Sequence, residues 1–211
     1  ADAGATSEAI VGATMRTRLI LFYKENSIWR CVGDPQDVDG ELEVTRSKVG
    51  AVSHNAIVEA GSVDYFESKD GIYSFNGDTE TKISVMLDPI FKGQTTTLAS
   101  GVTILPVNAS SRGTSAMGYR NGRLYFSYCT GSNTAPDKTL HYDEATQRWA
   151  TDSRGFGAYW DEGTSGALIA GTGAGVLSNL EVGNDDASSG IVLDFFSKYY
   201  DVGQPDNEKT F

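Results

Sequence analysis

A short unit of strand, polar turn and strand, rich in Tyr and Phe, recurs along this chain, and the recurrence limits the possible folds more than any other feature. The segment from Arg18 to Arg30 alternates apolar and polar residues on both sides of a polar break at Glu25-Asn26-Ser27. The segment from Ser62 to Ser74 repeats the arrangement, with Asp70-Gly71-Ile72-Tyr73 standing where Asn26-Ser27-Ile28-Trp29 stood, an offset of 44 residues (70 minus 26). Alternation over so few residues, bounded by Gly, Asn and Asp, is the pattern of short antiparallel strands and not of helices. Asp70-Gly71 reads as a tight hairpin whose residues adopt positive φ, and the flanking aromatics suit cross-strand pairing.

A third copy opens at Asn121-Gly122 and runs through Arg123–Cys129, with a return strand at Thr139–Asp143 and Trp149 at its end. A fourth, weaker copy runs from Ala167 through Gly171-Thr-Gly-Ala-Gly175 to Val182. The period of 44 lies in the range of roughly 40 to 50 residues that belongs to propeller blades. The expectation is therefore an all-β chain, a β-propeller or partial propeller of three to four antiparallel blade-like repeats. The units span approximately 8–48, 50–91, 113–152 and 164–201 in one continuous array. A Thr/Ser/Gly-rich insertion covers 92–112, an exit segment covers 197–211, and helix content is low, with one short turn expected at Met86–Phe91. The chain begins without Met and stops at Lys209-Thr210-Phe211 within an alternating stretch, which reads as a segment of a longer protein.

Composition matters at two points. Gly makes up 24 of 211 residues, about 11% against a usual level near 7%, while Pro numbers only five, so the excess reads as many tight turns. The formal charge of −11 opposes phosphate binding, which relies on clustered Lys and Arg. Specific nucleic-acid binding is therefore not expected. No stretch approaches the roughly 20 apolar residues of a membrane-spanning helix, and the first residues lack the basic-then-apolar order of a signal peptide.

The residues that could carry chemistry have plainer explanations. Two histidines, His54 and His141, are too few for a metal or triad constellation. Ser53-His54 lacks the GxSxG turn that presents a nucleophile, and His141 alternates with Leu140 and Tyr142 as one face of a strand does. Gly171–Gly175 would need a following helix to cradle phosphate, and a strand follows instead. Asp34, Asp37, Asp39 and Glu41 crowd around Gly40, yet Pro35 and Arg46 fall where a calcium loop needs ligands. The acidic Asn184-Asp185-Asp186 loop reads as a solvated turn. Cys31 and Cys129, 98 positions apart, read as two buried thiols, with a disulfide the other option. No catalytic, cofactor-binding or metal-ligating residue is assigned, and no cofactor is expected.

Several of these pieces together resemble the propeller region of tail nozzle proteins of short-tailed bacteriophages, the tail tubular protein B-like family. The resemblance rests on Leu21–Trp29, on Gly50–Val58 leading into a unit, on Tyr65-Phe66 with Asp70–Gly77, and on Ser197–Phe211, which is similar to the strand that leaves the propeller. It implies a non-enzymatic virion structural protein, made in the host cytoplasm and sited in the tail. Such a protein would form a homo-oligomeric ring with other tail proteins at the end of the DNA channel, docking fibres or a needle. DNA would pass without specific binding, in keeping with an acidic wall.

Two other readings stay open. One is a carbohydrate-binding or glycan-cleaving propeller that recognises a host surface, with Trp149, Tyr159 and Trp160 as platforms and Asp161 and Glu162 beside them. Against it, the SxDxGxTW box of sialidases is absent. The other is a propeller of generic protein-interaction type.

Overall fold

A computed structural model describes residues 8–16, 19–33, 41–98, 100–163, 166–180, 185–186 and 189–190. These fall into two compact units, Ala1–Glu181 and Val182–Phe211. The first unit is antiparallel β-structure with little helix. Its first sheet runs β1 (Ile10–Arg16), β2 (Leu19–Lys24), β3 (Ile28–Val32) and β4 (Glu41–Val44) in sequence order. The second runs β5 (Ile57–Ala60), β6 (Val63–Ser68), β7 (Gly71–Phe75) and β8 (Glu80–Lys82). A ribbon of β9 (Thr96–Thr97) and β10 (Thr103–Ile104) lies in the segment 92–112. The third sheet runs β11 (Ala116–Arg120), β12 (Arg123–Tyr128), β13 (Lys138–Asp143) and β14 (Arg148–Asp152). The fourth has three strands, β15 (Ala158–Asp161), β16 (Leu168–Gly171) and β17 (Leu177–Leu180). The second unit shows one hairpin, β18 (Asp185–Asp186) with β19 (Ser189–Gly190).

The middle strands β6 and β12 are aromatic on both faces because both faces are buried. On β6, Tyr65 joins the core shared with the third sheet while Phe66 joins the core shared with the first. On β12, Phe126 faces the second sheet and Tyr125 the fourth. The period of two thus sends neighbouring residues into different cores, which makes each of these stretches look like a continuous apolar run. Ring packing is direct: Tyr23 and Phe66 meet at 5.4 Å between centroids, Phe66 and Tyr73 at 5.7 Å. Full burial of a side chain such as Phe66 contributes about 1.5–3 kcal/mol.

The hairpins differ in how they turn. Asn121 and Gly122 both adopt positive φ, 50° and 75°, as a two-residue turn between right-twisted strands requires. Asp70-Gly71 does not, which corrects the expectation from sequence. Ser68 pairs with Gly71, so the turn is Lys69-Asp70 and Gly71 is the first residue of β7, outside the left-handed region. Glycine is needed there for space: a Cβ would lie 2.4 Å from Lys82 Cε and 2.6 Å from Ser84 Oγ.

Val85–Leu87 forms a 3-10 turn that leads into α1 (Asp88–Phe91), with Pro89 in its first turn. Ile90 and Phe91 are buried in the core between the second and third sheets. The segment after the ribbon closes with a 3-10 helix at Ala109–Thr114, capped by Asn108, whose side chain accepts from the Ser110 amide. The fourth sheet takes its first strand from Ala158, ahead of position 164 where the sequence puts the unit's start. Its Ala-Tyr-Trp-Asp stretch has no apolar alternation, because Trp160 is 63% exposed. The exit segment 197–211 lies outside the described residues.

Candidate functional site

The first strands of successive sheets stand against one another: β1 against β5, β5 against β11, and β11 against β15. Where they converge they leave a pocket of about 270 Å³, lined by Ala13, His54, Asn55, Ile57, Met117 and Tyr159, among others. Two strand glycines permit the approach. A Cβ on Gly12 would lie 2.7 Å from Ile57 Cδ1 and 2.9 Å from His54 Nδ1, and one on Gly118 would lie 2.6 Å from the Tyr159 ring. Glycine inside a strand often marks such a close approach, a sign that Gly12 and Gly118 carry in the sequence itself.

Polar side chains join the sheets at each seam. Between the first and second sheets, the fully buried Asp64 accepts from Arg16 Nη2 at 2.8 Å and Nε at 3.1 Å, from Thr14 Oγ1 at 2.5 Å and from Tyr23 OH at 2.6 Å. Arg16 also donates to the carbonyls of Ser62 at 2.9 Å and Phe75 at 3.1 Å. Burial, with the Asp64 charge beside it, pushes the Tyr23 phenol well above its ordinary value. Between the second and third sheets, Glu144 accepts from Tyr119 OH at 2.7 Å and from Tyr65 OH. Burial and this carboxylate raise the Tyr119 phenol to about 12. Between the third and fourth, Ser127 Oγ bonds with Thr139 Oγ1 and with Tyr159 OH, both at 2.6 Å, and accepts from the Phe156 amide at 3.1 Å. Arg120 reaches Asp161 and the carbonyls of Gly163 and Gly166.

One buried acid is held differently. Glu67 on β6 is fully buried, and neither of its oxygens has a hydrogen-bond partner in the structure. Ser115 and Arg112 lie near it without completing a hydrogen bond, and Ser115 Oγ and Arg112 Nε are themselves unpartnered. Burial pushes the Glu67 carboxyl up to about 8, against the opposing pull of Ser115 and the Arg112 charge.

The residues singled out from sequence are dispersed. Ser53 Oγ is directed to the Ser115 and Gly113 carbonyls at 2.7 and 3.2 Å, away from a nucleophile's role, while its neighbour His54 lines the pocket. His141 packs against Tyr125 in the third sheet, with the rings tilted and their centroids 4.7 Å apart. Trp149 is buried against Tyr142 at 5.0 Å, so of the three proposed platforms only Trp160 is well exposed, Tyr159 being half-buried. Asp161 is engaged by Arg120, and Glu162 accepts from the Ala167 amide at 3.2 Å. Gly171–Gly175 is the β16–β17 turn, closed by Thr172 N donating to Val176 O at 2.9 Å. Cys31 and Cys129 are separate buried thiols, not a disulfide. Asp34, Asp37, Asp39, Gly40 and Asn184 lie outside the described residues, while Glu41 begins β4 and Asp185-Asp186 form β18. Among the described residues no group of three or more His, Cys, Asp or Glu is placed to hold a metal ion. No helix among them is long and apolar enough to cross a membrane, which says nothing of a β-barrel.

No family model matches the chain, and no curated protein matches it at a significant level. Among solved structures it is similar to two computationally designed proteins. Ika4 is 9% identical with a TM-score of 0.49, over 85% of this chain and 94% of that one. Ika8 is 8% identical with a TM-score of 0.46, over 80% of this chain and 44% of that one. Likenesses this distant fix neither the architecture nor the activity.

Proposed function

We propose that the chain is a non-enzymatic β-propeller, or part of one, serving as a structural and docking module of a phage-like tail. The observation that carries the reading is the seriation of the sheets: each begins with a strand set against the first strand of the next, around a common pocket. That order is the one expected of blades arranged about an axis. Polar side chains join one sheet to the next, as Asp64, Glu144 and Ser127 do. The segments that resemble nozzle proteins take equivalent positions, Leu21–Trp29 across the β2–β3 turn and Tyr65–Gly77 across the β6–β7 turn. A net charge of −11 suits a wall past which DNA moves without being held. In this role the full-length protein forms a closed homo-oligomeric ring that joins other tail proteins at the end of the DNA channel and docks fibres or a needle.

The test is the mass of the full-length protein by light scattering, together with imaging of its particles. A closed ring is the expected result, and a strictly monomeric species at all concentrations contradicts the proposal. The exposure of Trp160 favours glycan recognition as a second reading. Binding on a glycan array that disappears in Trp160→Ala would support it, whereas no response to any glycan leaves the structural role in possession.

A further inference from the structure

Glu67 sits where four pieces of the chain meet. Its own strand pairs it with Ile72 of β7, and its backbone carbonyl accepts from Val52 N at 3.0 Å, just before the 3-10 turn His54–Ala56. From the Ala109–Thr114 helix, Arg112 faces it, followed by Ser115 at the entry to β11. The terminal nitrogens of Arg112 are already committed, Nε alone being unpartnered: Nη2 donates to the Phe91 carbonyl at 2.8 Å, Nη1 donates to the Lys69 carbonyl, and the guanidinium lies 5.7 Å from the Phe91 ring. One side chain therefore ties the helix at 109–114 to the β6–β7 turn and to the end of α1. The other titratable groups in the neighbourhood are Cys129, hydrogen-bonded to Thr114 at 3.2 Å with Asp137 beyond it, and His54, which is turned into the pocket.

A buried carboxylate beside a guanidinium normally forms an ion pair, and a buried carboxyl with no partner is normally neutral. The geometry here is that of the neutral form, since Arg112 spends its terminal nitrogens on carbonyls and leaves both Glu67 oxygens bare. We propose that Glu67 is a protonation-controlled latch: as a neutral acid it leaves Arg112 bound to the Lys69 and Phe91 carbonyls, and on losing its proton to solvent it draws Arg112 away and loosens Lys92–Thr114 from the second sheet. The carboxyl's rise to about 8, caused by burial, sets the change within reach of ordinary solution conditions.

Two measurements on the full chain test this. In protein carrying ¹³C-labelled glutamate, one side-chain carboxyl is expected to titrate with a midpoint above about pH 7, well clear of the usual glutamate range near 4.3. If every glutamate titrates near that ordinary value, the latch is refuted without recourse to a variant. The second is amide exchange of Gln94, Val107 and Ser111, whose N–H groups are bonded to Pro89, Ile90 and Asn108 carbonyls. Corrected for intrinsic rates, their protection is expected to fall at least tenfold between about pH 6 and about pH 9 in the wild type, and to hold in Glu67→Gln. Equal losses in both proteins, or none in the wild type, would overturn the proposal.

Discussion

Asp64 and Glu67 lie three residues apart on β6, both fully buried, yet one is among the best-partnered side chains described and the other completes no hydrogen bond, with only Ser115 and the Arg112 charge near it. The odd spacing explains the difference. Residues an odd number apart on a strand face opposite ways, so Asp64 meets the first sheet, where Thr14, Arg16 and Tyr23 converge on it, and Glu67 meets the joint with the third. Burial raises the free energy of any carboxylate; whether the charge survives is decided by the donors the neighbouring sheet supplies. The same strand thus holds an acid fixed in place by its partners and an acid that burial alone pushes toward neutrality.

The sharpest way to break this comparison is to remove a partner of Asp64. Arg16→Ala strands a buried carboxylate, and a loss of about 3–5 kcal/mol in urea unfolding is expected. A loss below about 1 kcal/mol would mean that the pair behaves as an exposed one. Next in size is the aromatic core that the pair adjoins. Tyr73→Ala, at 8% exposure and stacked on Phe66, is expected to cost about 3 kcal/mol, whereas Trp29→Ala, half-buried on the opposite face of β3 from Ile28, costs less. Glu67→Gln should act in the opposite sense. Because the carboxyl's value in the folded chain, about 8, lies above the unfolded one, its contribution is intact below about pH 4 and is lost as pH rises through 8. The wild type's unfolding free energy should therefore fall by up to about 1.4 kcal/mol per pH unit in that window more steeply than the variant's. Gly118→Ala comes next, with about 1–3 kcal/mol lost against the Tyr159 ring. Trp160→Ala, on an exposed strand face, should change stability by less than about 0.5 kcal/mol.

Much of the sheet order was legible because strands buried on both faces set aromatics side by side, as in Tyr65-Phe66 and Tyr125-Phe126, and because Asn121-Gly122 can turn in few ways. What escaped was whatever depends on distant partners. Asp64 finds its donors 41 to 50 positions away, and nothing local distinguishes it from a solvated acid. Two acids interrupting an aromatic strand, Val63-Asp64-Tyr65-Phe66-Glu67, were nevertheless a warning, since a strand with two buried faces has no solvent to offer either of them. The start of the fourth sheet was missed for the converse reason: the exposed Trp160 breaks the alternation by which strands are read. Glycine misled once, at Gly71, where it serves packing and not the turn.

The claim on which the rest depends is that polar side chains clasp one sheet to the next. A double-mutant cycle on Arg16 and Asp64, with Arg16→Met and Asp64→Asn singly and together, isolates that clasp across the first seam. A coupling of about 1.5–3 kcal/mol is predicted. Additive effects, with a coupling near zero, would contradict the account.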